Sequence, residues 1–456
     1  MKQEEAGTFF TRDRQFYKSL FSMMILIALQ NLVAYSVNMA DNIMLGRYSQ
    51  DALSGAASVN QIFFMVQQFA MSIGNSLVVL ASQYWGKKEE EPIRKLTAVS
   101  LKLGLGVGAA VLILCQMFPY QLVGLFTKSE GILAQGVIYL KVVSWSFFLY
   151  ILSNVFISVL RSVGIVKISF YISIVSLIVN VGINYTLIYG RLGMPEMGVR
   201  GAGIGTLTAR ILELIIVVCY LFWGKTGMHF WSRTMWKRDR QIRKDYTRVY
   251  LPIFCAFVLW GFSVPVQTGI LGRLSDNAIA ANSVATTFYQ YLKVIVVAMS
   301  NTASVLIGNA VGAGDLKKTK EYGRTISVIC IGVGIVLGIA LIALRNPLLS
   351  LYNLSEDATT MALHLIVIMG FIMMGMSYQM PVSAGIIQGG GDTTFLMKLN
   401  LISTWLIVMP LSFASAFWWK WPVELVVICV QSDQVFKCLP VYLHFRKYQW
   451  IKKLTR

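Results

Sequence analysis

Long apolar runs broken by short polar ones set the pattern of this chain. The runs lack the alternation of a β-barrel strand. Crossing the hydrocarbon of a bilayer takes about 20 apolar residues as helix. About twelve stretches reach that length. In the first half they are Ser19 to Leu45, Ala52 to Ser82, Ala98 to Phe118, Ile132 to Leu160, Ile168 to Tyr189 and Gly201 to Trp223. In the second half they are Tyr250 to Leu271, Ala278 to Val311, Ile326 to Leu344, Ala362 to Ile387, Leu396 to Trp418 and Pro422 to Tyr442. Helices satisfy their own backbone polar groups in lipid. The pattern therefore predicts an all-α membrane protein of about twelve transmembrane helices.

Composition agrees. Of 456 residues, 56% are hydrophobic and only 13% charged, against roughly 25% charged in soluble domains, and the mean hydropathy is +0.63. A net charge of +19 raises the question of a nucleic-acid partner. The basic residues are not gathered on one soluble domain, so no such partner is expected. They mark topology instead. Counted from an inside N-terminus, the inner loops collect Arg12 and Arg14, then Lys87, Lys88, Arg94 and Lys95, then Lys237, Arg238, Arg240, Arg243 and Lys244. Lys317, Lys318, Lys320, Arg324, Arg446, Lys447, Lys452 and Lys453 continue the series. Outer loops hold scattered cations such as Arg47, Lys128, Arg191, Arg273, Arg345 and Lys420. This asymmetry predicts both termini on the cytoplasmic side of a multi-pass plasma-membrane protein. The polar stretch Met1 to Arg14 and the long first run do not form a cleavable signal. Cys115, Cys219, Cys255, Cys330, Cys429 and Cys438 have neither disulfide-framework nor zinc spacing and read as small core residues.

The longest basic stretch, about Lys225 to Arg248, divides the chain into lobes 1–224 and 249–456 with a cytoplasmic linker at 225–248. An internal repeat supports the cut. "LGRYSQDALSGA" from Leu45 recurs as "LGRLSDNAIAAN" from Leu271. At the same offset Arg47 meets Arg273, Asn75 meets Asn301 and Gly86 meets Gly312. Apolar bias does not supply shared Gly, Arg and Asn positions, so the repeat reads as a duplication. Two lobes of six spans each would share one orientation, related by an axis along the membrane normal, a plan suited to alternating access.

Several segments carry a more specific resemblance. "ADNIMLG" at Ala40 to Gly46 resembles the Asp-x-x-x-x-Gly signature that closes the first helix of the MATE (multidrug and toxic compound extrusion) transporters. "ASQYWGKKEEEPIRK", "LRSVG", "YGRLGMPEMGVRGAGIGT", "GNAVGAGDLKKTKEY" and "IQGGGDT" are similar to that family's segments in the same order along almost the whole chain. The resemblance implies two pseudo-symmetric six-helix lobes and efflux of small organic, mostly cationic and amphipathic compounds in exchange for Na⁺ or H⁺, with no cofactor.

A charge inside a membrane helix costs several kcal/mol, so each needs a partner or a function. Asp41 stands out. It shares a face of the first helix with Gln30, Asn31 and Asn38. Gln61, Gln68 and Asn75 follow a heptad step on the second, and Ser169, Ser173, Ser176, Asn180 and Asn184 recur at steps of three or four on the fifth. Three amide-lined faces suggest a polar pocket, with interhelical hydrogen bonding as the plainer role for each amide. At Asp41 a carboxylate can bind a transient Na⁺ or a proton, and no structural metal is expected. Many relatives carry an Asp where this chain has Asn184, or a Glu near Cys255, Ala256 and Phe257, and some carry an acid on the tenth span. Those departures leave Asp41 as the cation-coupling candidate.

The second lobe has charges of its own. Lys293 shares a face of the eighth span with Asn282, Tyr289 and Ser300, and Gln267 on the seventh joins this polar set. Asp433 and Lys437 are spaced i, i+4 on the twelfth. Lys293 or Lys437 is expected to neutralise Asp433, either as part of the transport site or as a structural ion pair. Arg210 and Glu213 read as a structural pair. Met369, Met373, Met374, Met376 and Met380 on the tenth span read as lipid-facing packing or as an adaptable binding wall. Pro265 and Pro381 interrupt their spans as bending points.

Two other functions are weighed against antiport. A flippase for a lipid-linked saccharide would need a strongly cationic cavity, for which only Lys293 and Lys437 look available. A membrane enzyme would need catalytic groups that do not cluster; His229, His364 and His444 are far apart in sequence. A monomer in membrane lipid, acting on small organic substrates without catalytic residues, is the expectation.

Overall fold

The computed structural model describes residues 10–223, 232–271, 273–274, 276–350, 352 and 355–455. His229, Gly272 and Ser275, together with residue 224 and the 225–231 part of the linker, lie outside the described residues. The described residues are 87% helical, with no strand among them. Among the described residues, twelve helices are long and apolar enough to cross a membrane. They are α1 (Arg14–Tyr48), α2 (Gln50–Gly86), α3 (Glu90–Met117), α4 (Glu130–Ser162), α5 (Lys167–Tyr189) and α6 (Val199–Trp223), then α7 (Arg240–Leu271), α8 (Asn277–Gly312), α9 (Leu316–Ala343), α10 (Glu356–Ile387), α11 (Thr393–Trp418) and α12 (Val423–Arg446).

Each apolar run forms the body of one helix, and polar residues extend it. At the start of α3, Glu90 and Arg94 pair at 2.6 Å and Glu91 and Lys95 at 3.0 Å, both i,i+4. Asp315 caps α9 by accepting the Lys318 N–H at 2.9 Å, and Ser355 caps α10 by accepting that of Ala358 at 3.3 Å. Proline acts differently at its two expected positions. α7 runs through both Pro252 and Pro265 as helix, whereas Pro381 opens a π-helical stretch to Ile387 at the end of α10. Proline removes a backbone donor, and a widened turn lets neighbouring groups re-pair. α11 contains two further π stretches, Leu401–Val408 and Ala414–Trp418, which nothing in the residue pattern announced.

Packing divides the described residues into two units. One, the N-terminal unit, comprises Leu29–Ala81 and Glu89–Tyr250; in it α4 packs on α3 and α6, and α6 on α5. The other, the C-terminal unit, takes the described residues up to Ala28, Ser82–Lys88, and the described residues from Leu251 onward; in it α8, α9 and α10 pack on one another. Met369, Met373 and Met376 lie in its apolar core with Leu365, Ile366 and Tyr289, so these methionines are core packing and not lipid-facing. All six cysteines are free.

One end of the C-terminal unit is tied together by segments distant in sequence. Gly86 lies against the main-chain carbonyl of Asn309, and Gly312 against that of Gln83. Tyr322 donates to Asp13 at 2.8 Å and stacks on Phe16 at 4.1 Å. That hydroxyl holds the Asp13 carboxyl below its ordinary value. After α12 the chain folds back. Trp450 is fully buried against Phe445, its Nε1 donating to the Phe445 carbonyl at 3.0 Å. Lys452 donates its N–H to the Gly390 carbonyl at 2.8 Å. The Gln83 amide grips the same strip, donating to the Lys452 carbonyl at 3.2 Å and accepting from the Leu454 N–H at 2.9 Å. Asp392 receives His444 at 3.0 Å and Lys452 at 3.1 Å.

Candidate functional site

Asp41 lies seven residues before the end of α1, half-buried. Its Oδ1 accepts a hydrogen bond from Asn184 Nδ2 at 2.6 Å. Asn184, fully buried on α5, also donates to Asn180 Oδ1 at 3.3 Å, and Asn180 donates to Thr206 Oγ1 on α6 at 3.3 Å. The i,i+4 spacing of the two asparagines puts both amides on one face of α5, so a relay runs from α1 through α5 to α6. Tyr189 fixes the approach of α5 to α1 by donating to the Met44 carbonyl at 2.8 Å. Gly205 on α6 makes room for the relay, because a Cβ there would overlap Asn184 Oδ1. That oxygen is buried and has no donor. Buried Tyr139 faces Thr206 and lies within reach of the Asp41 charge.

No basic side chain pairs with Asp41 among the described residues. The field of Arg210 reaches it, but the guanidinium is committed to Glu213 at 2.6 Å and to the face of Tyr150 at 4.9 Å. The carboxylate meets the Asn184 amide, and the Asn180 amide and Thr206 hydroxyl follow along the relay. The carboxylate oxygens of Asp41 are hard ligands of the kind a monovalent cation takes. No group of three His, Cys, Asp or Glu side chains that could hold a metal occurs among the described residues.

The other amides lie apart from this relay. Gln30 and Asn31 are half-buried and Asn38 and Gln61 exposed, and none forms a hydrogen bond among the described residues. Gln68 is buried but donates to the Phe64 carbonyl of its own helix at 3.2 Å. Asn75 accepts instead from Arg161 Nη2 at 3.3 Å, in a second polar cluster with Ser158. Thr206, Tyr139 and Arg161 escaped the sequence reading. Thr206 closes the segment "GAGIGT", whose glycines mark a close helix approach, and that was the available signal.

In the C-terminal unit Lys437 pairs with Asp433 at 2.7 Å, both buried. Lys437 also donates to Asn400 Oδ1 at 3.1 Å and Thr404 Oγ1 at 3.4 Å. Thr404 donates to Asp433 Oδ2 at 3.4 Å, and Gln434 donates to Asp433 Oδ1 at 2.9 Å while accepting from Gln379 at 2.8 Å. Lys293 feels the Asp433 charge but forms neither hydrogen bond nor salt bridge among the described residues; its ammonium stands 5.1 Å from the centre of the Trp260 ring. Tyr289 donates to the Met376 sulfur at 2.8 Å. Asn282 and Gln267 are half-buried and form no hydrogen bond among the described residues.

Comparison with known proteins places the chain. The family model MatE matches it twice, over residues 27–186 and 252–414. The probable multidrug resistance protein YoeA of Bacillus subtilis (strain 168) is 21% identical over 449 residues, covering 96% of each chain. The probable multidrug resistance protein NorM of Rhizobium meliloti (strain 1021) is 25% identical over 398 residues, covering 85% of this chain and 84% of its own. In fold, the chain superposes on a mutant of the MATE transporter VcmN of Vibrio cholerae with a TM-score of 0.86 at 17% identity, covering 96% of this chain and 98% of that one.

Proposed function

The chain belongs to the MatE family of multidrug efflux transporters, and from that premise we propose that it is a secondary antiporter exporting organic, mostly cationic and amphipathic compounds in exchange for Na⁺ or H⁺ at Asp41. The observation that carries this reading is the Asp41 carboxylate, bonded to Asn184 at 2.6 Å and free of any salt bridge among the described residues. An uncompensated carboxylate within a membrane helix costs several kcal/mol, and binding either Na⁺ or a proton relieves that cost. An organic cation relieves it too. Exchange follows when the two compete for Asp41, or favour opposite states of the protein, since a ligand shifts an equilibrium only by its differential affinity.

Each side chain of the relay has a part in this reading. Asn184 presents its N–H to the charged carboxylate, while its oxygen packs against Gly205. Asn180 and Thr206 hold the Asn184 amide in that orientation. The protein acts as a monomer in the plasma membrane with both termini cytoplasmic.

The test is dye efflux from vesicles under separately imposed Na⁺ and pH gradients, comparing the parent with Asp41→Asn. Loss of gradient-driven efflux in the variant supports the assignment, and the gradient that drives the parent identifies the ion. Full activity in Asp41→Asn removes Asp41 from the coupling role.

A further inference from the structure

The start of α9 gathers positive charge that no acid answers. Lys320 and Arg324 stand i,i+4 near the first turns of the helix, where two like charges on one face are destabilising and the helix dipole is already positive. Both are drawn to one phenol. The Lys320 ammonium lies 5.0 Å from the centre of the Tyr448 ring and the Arg324 guanidinium carbon 5.5 Å from it, and Arg324 Nε donates to the Tyr448 hydroxyl at 2.6 Å. That bond leaves both terminal nitrogens of the guanidinium without a partner, and neither cation forms a salt bridge among the described residues. The nearby acids do not neutralise them: Asp315 caps α9, Asp13 is held by Tyr322, and Glu321 forms no salt bridge among the described residues. Tyr448 is firmly placed. It follows the cap of α12 with φ +52°, a left-handed conformation usually left to glycine there, and packs its ring against those of Phe445 and Trp450. Beyond Arg324 the same face of α9 continues as Val328, Ile331, Ile335 and Ile339, all exposed.

We infer that this face is a binding site for one acidic phospholipid, with the phosphodiester on Arg324 and Lys320 and an acyl chain along Val328, Ile331, Ile335 and Ile339. A guanidinium with both terminal nitrogens free offers two N–H groups to two phosphate oxygens. Tyr448 is the positioning residue, holding that fork through Nε. The apolar stripe selects a lipid over a free phosphate. At 1.5 Å per residue, Val328 to Ile339 spans about 16 Å, close to the depth of one leaflet in a hydrocarbon core of about 30 Å. A choline lipid brings an ammonium of its own towards two cations and is disfavoured. Topology requires only the sign of the charge on this side; an open guanidinium fork anchored on a tyrosine goes beyond that requirement. The site does not rest on the export reading, because lipid binds it without a gradient and without Asp41.

The experiment is native mass spectrometry of the purified full chain in detergent, titrated with dioleoylphosphatidylglycerol or dioleoylphosphatidylcholine and read as the affinity of the first adduct. The parent should prefer the glycerol lipid about thirtyfold, the scale of two basic groups facing one acidic headgroup. Lys320→Gln with Arg324→Gln should abolish that preference while keeping the affinity for the choline lipid, which reports an intact apolar stripe. Arg14→Gln with Lys18→Gln removes the same charges at the same spacing from exposed positions on α1, and should leave the preference unchanged. Tyr448→Phe should lower the affinity for the glycerol lipid alone. Equal binding of the two lipids by the parent overturns the site without recourse to any variant. So does an undiminished preference in the Lys320, Arg324 double variant, or an equal loss in both double variants, which would mean a diffuse basic surface. Should the first double variant not fold, Arg324→Gln alone takes its place under the same criteria. Displacement of the glycerol lipid by glycerol 1-phosphate at equal concentration overturns the lipid assignment in favour of a free phosphate.

Discussion

Gly312 lies against the main-chain carbonyl of Gln83, so closely that a methyl group on it would overlap the oxygen. The relationship is reciprocal, since Gly86 lies in the same way against the carbonyl of Asn309. At the repeat offset that aligns Gly86 with Gly312, Gln83 aligns with Asn309, so the two contacts are copies of one another. Gly86→Ala and Gly312→Ala should each destabilise the protein by about 1–3 kcal/mol, the usual cost of forcing atoms into a packed contact. Thermal unfolding in detergent measures this. An unchanged melting temperature in both would mean that the helices part without cost.

Asn184 should matter almost as much as the acid it serves. Asn184→Ala removes the donor to Asp41 and to Asn180 together, and a fall in gradient-driven dye efflux of about tenfold is expected, the scale of one hydrogen bond to a charged group. Gly205→Ala should reproduce part of that loss without touching a polar group, by pressing on Asn184 Oδ1. Efflux at the parental rate in both variants would show that the relay is only interhelical glue.

Breaking the Asp433–Lys437 pair from one side should cost more than removing both charges. Lys437→Met leaves a buried carboxylate without its ion-pair partner and is expected to cost about 3 kcal/mol, the low end of the usual range because Lys293 remains nearby. The double variant Asp433→Asn with Lys437→Met should recover most of the loss. Denaturation midpoints of the three proteins decide this, and a double variant no more stable than the single one would count against the account.

Asp239 supplies a pH dependence outside the membrane helices. It accepts the N–H groups of Ile242 and Gln241 at the start of α7 and pairs with Lys95 at 3.3 Å. The Ile242 hydrogen bond first, then Lys95 and Gln241, favour its charged form and hold its pKa below the ordinary 3.8. A carboxyl with a lowered folded-state pKa stabilises the protein above the unfolded-state value, and that stabilisation is lost as pH falls through the folded one. The difference in melting temperature between parent and Asp239→Asn should therefore be present at neutral pH and shrink below pH about 4. A constant difference down to strongly acid pH would contradict this.

The helices were legible because lipid leaves the backbone almost no other solution, and twelve runs of the right length could hardly form anything else. Asp41 was legible for the same reason, as a charge that must have a purpose. The spacing of Asn180 and Asn184 announced a shared face, but nothing along the chain said that this face, and not those of Gln30 or Gln61, would meet Asp41. Hydroxyls such as Thr206 and Tyr139 are too common on helices to declare themselves. Asp433 and Lys437 could be paired by their i,i+4 spacing, yet Asn400 and Thr404 reach Lys437 only through the placement of α11. The π stretches of that helix were invisible, because one extra residue in a turn leaves no mark in composition.

The strip from Tyr448 to Leu454 is a clasp, not a tail. Cutting the chain ahead of Tyr448 would strip the Gln83 amide of both its main-chain partners, take Lys452 away from Asp392 and open the socket that the Trp450 indole fills. Purification handles and fluorescent fusions appended at this end accordingly call for a flexible spacer. Shortened versions made for crystallisation are better trimmed elsewhere.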